Sequence, residues 1–184
     1  MSFDNIIKKA IKNKELLAVK AKYNHEALFF YALAQSNDFF FGVEEFDFAL
    51  DGYQIRVKED ISDVKVIDNF SAEINVMEGL LDQIIEYKID LETWESIFTY
   101  LYNLNEIISI EREYNDEENF FVIGKVLKVT ETSIWFKDFD INGNWNKELN
   151  IIPFDVITTV RINSNYIKVW SKYVESEDEV KNEN

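Results

Sequence analysis

Any chemistry in this chain has to come from carboxylates: of its 184 residues 35 are Asp or Glu, one is His and none is Cys. The sharpest local pattern is Asp138-Phe139-Asp140-Ile141-Asn142-Gly143. Oxygen-bearing side chains at alternate positions, then a glycine, form the first half of a calcium loop, where each oxygen turns toward the ion and glycine permits the tight bend. Asp138, Asp140 and Asn142 are therefore the candidate metal ligands. The place of the loop's bidentate glutamate is held by Leu149, with Glu148 one residue off, and the flanks read as strands instead of helices. The competing expectation is a strand-to-strand turn in which Asn142-Gly143 supplies a positive φ. Other carboxylate pairs, Glu44-Glu45 among them, are what so acidic a composition gives by chance. His25 sits in the polar turn Asn24-His25-Glu26 with no second histidine to complete a triad or a metal pair. Without cysteine there is no thiol nucleophile, disulfide or thiolate metal site. No cofactor is implied, and the expectation is a protein that is not an enzyme.

Two further residues are candidate binding positions. Trp145 lies among Asn144, Asn146 and Lys147 in a polar turn, where burial is not assured and a tryptophan can anchor a partner. Arg161 stands in the run Val160-Arg161-Ile162 near the end of the chain.

The elements that must position these residues show a repeat. A shift of 91 positions lays Phe3, Ile6, Ile7, Ala10 and Ile11 on Trp94, Ile97, Phe98, Leu101 and Tyr102, and Tyr23-Asn24 on Tyr114-Asn115. After a slip of a few residues, Phe39 to Phe41 falls on Ile134 to Phe136, Phe46-Asp47 on Phe139-Asp140, Val64 to Val66 on Val160 to Ile162, and Ile74 and Val76 on Ile167 and Val169. A duplicated unit of about 90 residues explains this order, with a boundary near Asp90. The units are 1–90 and 91–174, and the charged end, 175–184, is expected to be a disordered acidic tail. Each unit opens with an amphipathic helix, since its apolar residues recur at helical spacing. Short runs rich in β-branched and aromatic residues follow, separated by polar or glycine-bearing breaks, and predict strands. Ile74–Met77 and Tyr166–Trp170 are read as the last strands of the two units, 78–88 and 91–104 as helices, and 115–119 as an acidic turn. The fold class is mainly β with short helices, α+β.

Residues 121–129, FVIGKVLKV, and Ile134-Trp135-Phe136-Lys137-Asp138 resemble the first motif of the Sm-like family, with Gly124 where that family has its strand glycine. Ile151 to Ile162 resembles the approach to the family's last two strands. The resemblance implies two Sm-like, SH3-like small barrels in tandem, of a bacterial kind, each preceded by a helix. Arg161 matches the arginine of the family's second motif, but no glycine follows it, and Thr130-Glu131-Thr132 stands where the nucleotide pocket would be. The family's RNA-binding residues therefore do not carry over.

The net charge of −16 opposes nucleic acid, because an acidic surface gains nothing from counterion release. No apolar run reaches the roughly 20 residues of a membrane span, and no leader-like segment opens the chain. The expectation is a cytoplasmic protein-binding module of the immunity, inhibitor or adaptor type, suited to a basic protein partner. The alternative is an RNA-binding Sm-like protein using the lysines of the N-terminal segment, Lys8, Lys9, Lys12, Lys14, Lys20 and Lys22. The family closes rings by pairing the fourth strand of one subunit with the fifth of the next. Here the apolar stripes of 78–88 and 91–104 predict that the halves pack through those helices, giving a monomer or homodimer.

Overall fold

The computed structural model describes residues 2–114 and 119–174. The tail expected at 175–184 and most of the acidic turn at 115–119 lie outside the described residues. The order of elements is α1 (Phe3–Asn13), β1 (Leu16–Ala21), β2 (Leu28–Gln35), β3 (Phe39–Phe46), β4 (Ala49–Val57), a 3-10 turn (Lys58–Asp60), β5 (Ile61–Ile67) and α2 (Phe70–Met77). After a 3-10 turn at Leu80–Gln83 the same order returns as α3 (Trp94–Leu104), β6 (Ile108–Arg112), β7 (Phe120–Val129), β8 (Ser133–Asp138), β9 (Asn150–Pro153), a 3-10 turn (Phe154–Val156), β10 (Thr159–Ile162) and α4 (Asn165–Trp170). The fold is mainly β with short helices, as the class reading expects.

The helices α1 and α3 are where the stripes place them, offset by the same 91 positions. Each stops at a left-handed residue, Lys14 with φ 55° and Asn105 with φ 53°. Thr93 and Ser96 form a reciprocal capping box at the start of α3, satisfying backbone donors that a helix end leaves open. Asp90 braces this cap by accepting the Ser96 hydroxyl on its carbonyl at 3.0 Å.

All ten strands belong to one antiparallel sheet, ordered β5-β1-β2-β3-β4-β10-β6-β7-β8-β9 and open at both ends. The fourth strand of the first half thus pairs with the fifth of the second: Tyr53, Gln54, Ile55 and Arg56 face Ile162, Arg161, Val160 and Thr159. The expectation that the halves meet through two helices is corrected here. Residues 78–88 hold only the 3-10 turn, because Gly79 at φ 68° ends α2, and Ile84 to Asp90 run on without regular structure. That segment sinks Leu80, Ile84, Tyr87 and Ile89 into the core one side chain at a time, and Ile85 N–H donates to the Tyr53 hydroxyl at 2.6 Å. The two closing strands are corrected as well. Ile74–Met77 and Tyr166–Trp170 are helical, started by Asn69 and Ser164, whose side chains accept the Ala72 and Ile167 amides at 3.1 and 3.3 Å. Short apolar runs do not distinguish strand from helix, and in both places the cap decides.

Alternation along the strands divides the sheet into two faces. On one, Tyr53 and Ile55 continue into Val160 and Ile162, joining one large core that also takes Phe41, Ile110, Phe136 and the α3 residues Ile97, Phe98 and Leu101. This core draws on residues from both sides of Asp90. On the other face, α1 covers Leu17, Phe30, Phe40 and Val64 in a second cluster, while α4 covers Ile123 and Phe139 in a third. Burial of each large aliphatic or aromatic side chain is worth about 1.5–3 kcal/mol against leaving it wet, so the faces, more than strand propensity, fix the register. Between β7 and β8 the backbones nearly touch. A Cβ at Gly124 would lie 2.0 Å from the Lys137 carbonyl oxygen, which is why this strand carries glycine.

The two fourth strands end differently. Val57, last residue of β4, donates its N–H to the Thr158 carbonyl across the joint at 3.2 Å. Pro153 takes the same place in β9, just before the 3-10 turn, and has no N–H to offer.

Candidate functional site

Arg161 reaches the joint from β10 and is committed there. Its Nε donates to Glu111 at 2.6 Å and its Nη1 to Glu44 at 2.8 Å, so it ties the last strand of the second half to β3 of the first. Only 22% of the side chain remains exposed. Around it lies a polar layer that sequence reading does not find. Gln54 donates to Glu44, Arg56 donates to Gln54 at 2.6 Å and to Glu113 at 2.7 Å, and Thr159 donates to Glu113. Arg56 is almost wholly buried. Burial pushes the Glu44 and Glu111 carboxyls above the usual range, against the pull of Arg161. Stranding either charge would be costly, so the layer acts as a lock between halves, satisfied within itself. These partners are far apart in sequence, and only the β4–β10 pairing brings them together.

The metal candidates are arranged as a turn. Asp140 accepts the backbone amides of Asn142 and Asn144 at 2.8 and 3.0 Å and the Asn144 side-chain amide at 3.2 Å. These bonds hold its carboxyl below the usual range. Asp138 accepts from Asn146 at 3.0 Å, and Gly143 supplies the positive φ at 85°. Asp138, Asp140 and Asn142 are thus occupied by turn bonds, and among the described residues no cluster of three potential ligands forms. Trp145 folds back from this turn, half-buried, with its ring 5.4 Å from Phe139 edge to face and Lys137 5.7 Å from its centroid. His25 is exposed.

What the molecule does present is apolar side chains at the tip of the β3–β4 hairpin. Phe46 is 63% exposed and Phe48 49%, and with Phe29 they line a cleft of about 260 Å³. Both central residues of the turn are left-handed, Asp47 at φ 49° and Phe48 at φ 62°. That conformation suits Asn-Gly; a bulky side chain there costs about 1–2 kcal/mol. Glu45 steadies the turn by accepting the Phe48 amide at 2.9 Å. The match of Phe46-Asp47 to Phe139-Asp140 is the sequence signal nearest to this site; the strain at Phe48 has none.

The chain matches no family model, no curated protein and no solved structure. Among the described residues no helix is long and apolar enough to cross a membrane.

Proposed function

We propose that this chain is a tandem Sm-like protein that works by binding another protein. The observation that carries the reading is Phe48: a large apolar side chain held out of the core, at a backbone angle that disfavours it, on a chain of net charge −16. Strain kept at an exposed site points to a use for the residue there, since the fold would gain by replacing it. The repeated order of helix, four strands, 3-10 turn and fifth strand supports the Sm-like part of the reading, as does the pairing of β4 with β10. The acid excess favours a basic partner and disfavours nucleic acid. Binding is the whole activity in this reading. Pro153 removes a donor from the β9 edge and supports a monomer or homodimer.

The test is capture from the native cytoplasm on the immobilised chain, followed by reconstitution with the purified candidate. A basic protein that forms a defined complex and is competed off by free chain is the expected result. Nucleic acid that co-purifies and is released by salt, with no protein partner, would overturn the reading in favour of RNA binding through the lysines of the N-terminal segment.

A further inference from the structure

The cleft beside Phe48 has a counterpart. In the second half a cleft of about 310 Å³ opens between the end of β8, the start of β7 and α4, lined by Phe121, Phe139, Ile141, Tyr166 and Trp170. In the first half the equivalent elements, the end of β3, the start of β2 and the N-terminus of α2, make the Phe29, Phe46 and Phe48 cleft. The correspondence extends to residues. Glu45, Phe46, Asp47 and Phe48 line one cleft where Asp138, Phe139, Asp140 and Ile141 line the other. Each tip therefore alternates carboxylate, aromatic, carboxylate, apolar. Each leaves its last apolar side chain in water, with Ile141 exposed to 86%. Neither cleft has a lysine or arginine in its described lining.

Building on the protein-binding reading, we infer that these two clefts are paired docking sites for basic, apolar-anchored peptide segments of the partner. The apolar floor takes a leucine or phenylalanine side chain, and the carboxylates flanking each tip favour lysine or arginine on either side of it. Part of the hydrogen-bonding capacity of Glu45, Asp138 and Asp140 goes to their own turns, but their charge stays at the rim. Large apolar side chains beside an acidic rim give an anchor and a steering field together. Two equivalent sites on one chain let a partner with two such segments bind more tightly than either segment alone.

The probe is a short synthetic peptide in which lysines alternate with phenylalanine and leucine, titrated into isotope-labelled full-length chain and followed by NMR. Shift changes centred on Phe46 and Phe48 and on Ile141 and Trp170 are expected, with none from the same peptide carrying glutamates for lysines. Phe48→Gly should raise the melting temperature by relieving the turn while weakening the first site about tenfold or more. Ile141→Ser should do the same to the second site without changing stability. Shifts spread evenly over the acidic surface, equal binding of the acidic peptide, or Phe48→Gly binding as the parent does would each overturn the inference. If the Phe48→Gly, Ile141→Ser double variant still holds the reconstituted partner, the clefts are wrong while protein binding stands. If the parent chain binds the peptide but no protein partner, the broader reading is the one that fails.

Discussion

Gly52 tests whether the joint between the halves is built as described. It lies in β4 one residue before the Tyr53–Ile162 pair, at φ 81°. An alanine Cβ there would fall 2.4 Å from Ser164 N, 2.5 Å from Ser164 Cα and 2.7 Å from the Ile162 carbonyl oxygen. All three are backbone atoms at the β10–α4 corner and cannot rotate away. Two costs add for Gly52→Ala. The left-handed angle costs about 1–2 kcal/mol for any residue with a Cβ, and forcing the corner outward costs about 1–3 kcal/mol more. The total of roughly 2–5 kcal/mol is a large part of the 5–15 kcal/mol that holds a domain folded. Gly79→Ala is the control: it too has a positive φ, 68°, but the nearest atom to its Cβ is an Asp82 carboxylate oxygen at 3.8 Å. It should lose only the conformational part, about 1–2 kcal/mol. Urea denaturation followed by circular dichroism measures both, with the slope unchanged if the end states are the same. If Gly52→Ala costs no more than Gly79→Ala, the second half does not press on β4 and the joint is wrong.

Arg161→Met leaves Glu44 and Glu111 buried without their cation and should cost about 3–5 kcal/mol near neutral pH. The loss should shrink in mild acid, where protonation of the two carboxyls removes the stranded charge; a loss independent of pH would count against the lock. In the parent chain Glu44 and Glu111 titrate above their ordinary range, so their contribution is full below it and is lost as pH rises through their folded values. Melting temperature should therefore rise as pH is lowered from neutrality toward the ordinary glutamate range, helped by the falling net charge, and a steady fall on that approach would refute the assignment. Burial pushes the Tyr23 and Tyr87 hydroxyls up to about 12. With unfolded values near 10, the stability they hold is full below about pH 10 and lost as pH climbs toward 12. Tyrosinate absorbance should show them titrating late and together with unfolding, and Tyr87→Phe should blunt the alkaline loss.

Much of the fold was legible because it is written in periodicity. The stripe of Ile7 and Ala10 and its copy at Phe98 and Leu101 mark helices that the structure contains, and the runs around Phe39–Phe41 and Ile134–Phe136 mark strands. Periodicity failed where a segment is short. Ile74–Met77 and Tyr166–Trp170 are too brief to show a period, and the deciding signals were the caps, Asn69 and Ser164. It failed at 78–88 for a different reason: the apolar spacing is real, but Gly79 breaks the helix, and Leu80, Leu81 and Ile84 enter the core from a chain without one while Ile85 stays exposed. The polar layer around Arg161 could not be read at all, since Glu44, Arg56 and Glu113 become neighbours only through β4 and β10. At the candidate site the order Phe46-Asp47 and Phe139-Asp140 was visible as a repeat. That both tips are exposed is a fact of the turns, and no composition rule reports it.

The β4–β10 joint has one more consequence. A contact between separate copies of one unit is bound by identity: any substitution on the donor strand appears in every copy, and the contact dissolves on dilution. Placing both strands on one chain removes both constraints. Its strength no longer depends on protein concentration, because the partner strand is tethered. The two sides are also free to drift apart, so one fourth strand can carry Gln54, Arg56 and Val57 while the other carries Ile152 and Pro153. With both strands on one chain, a single edge is fastened at β4–β10 while the β9 edge is left without a donor at Pro153, so the contact is made once and at one address.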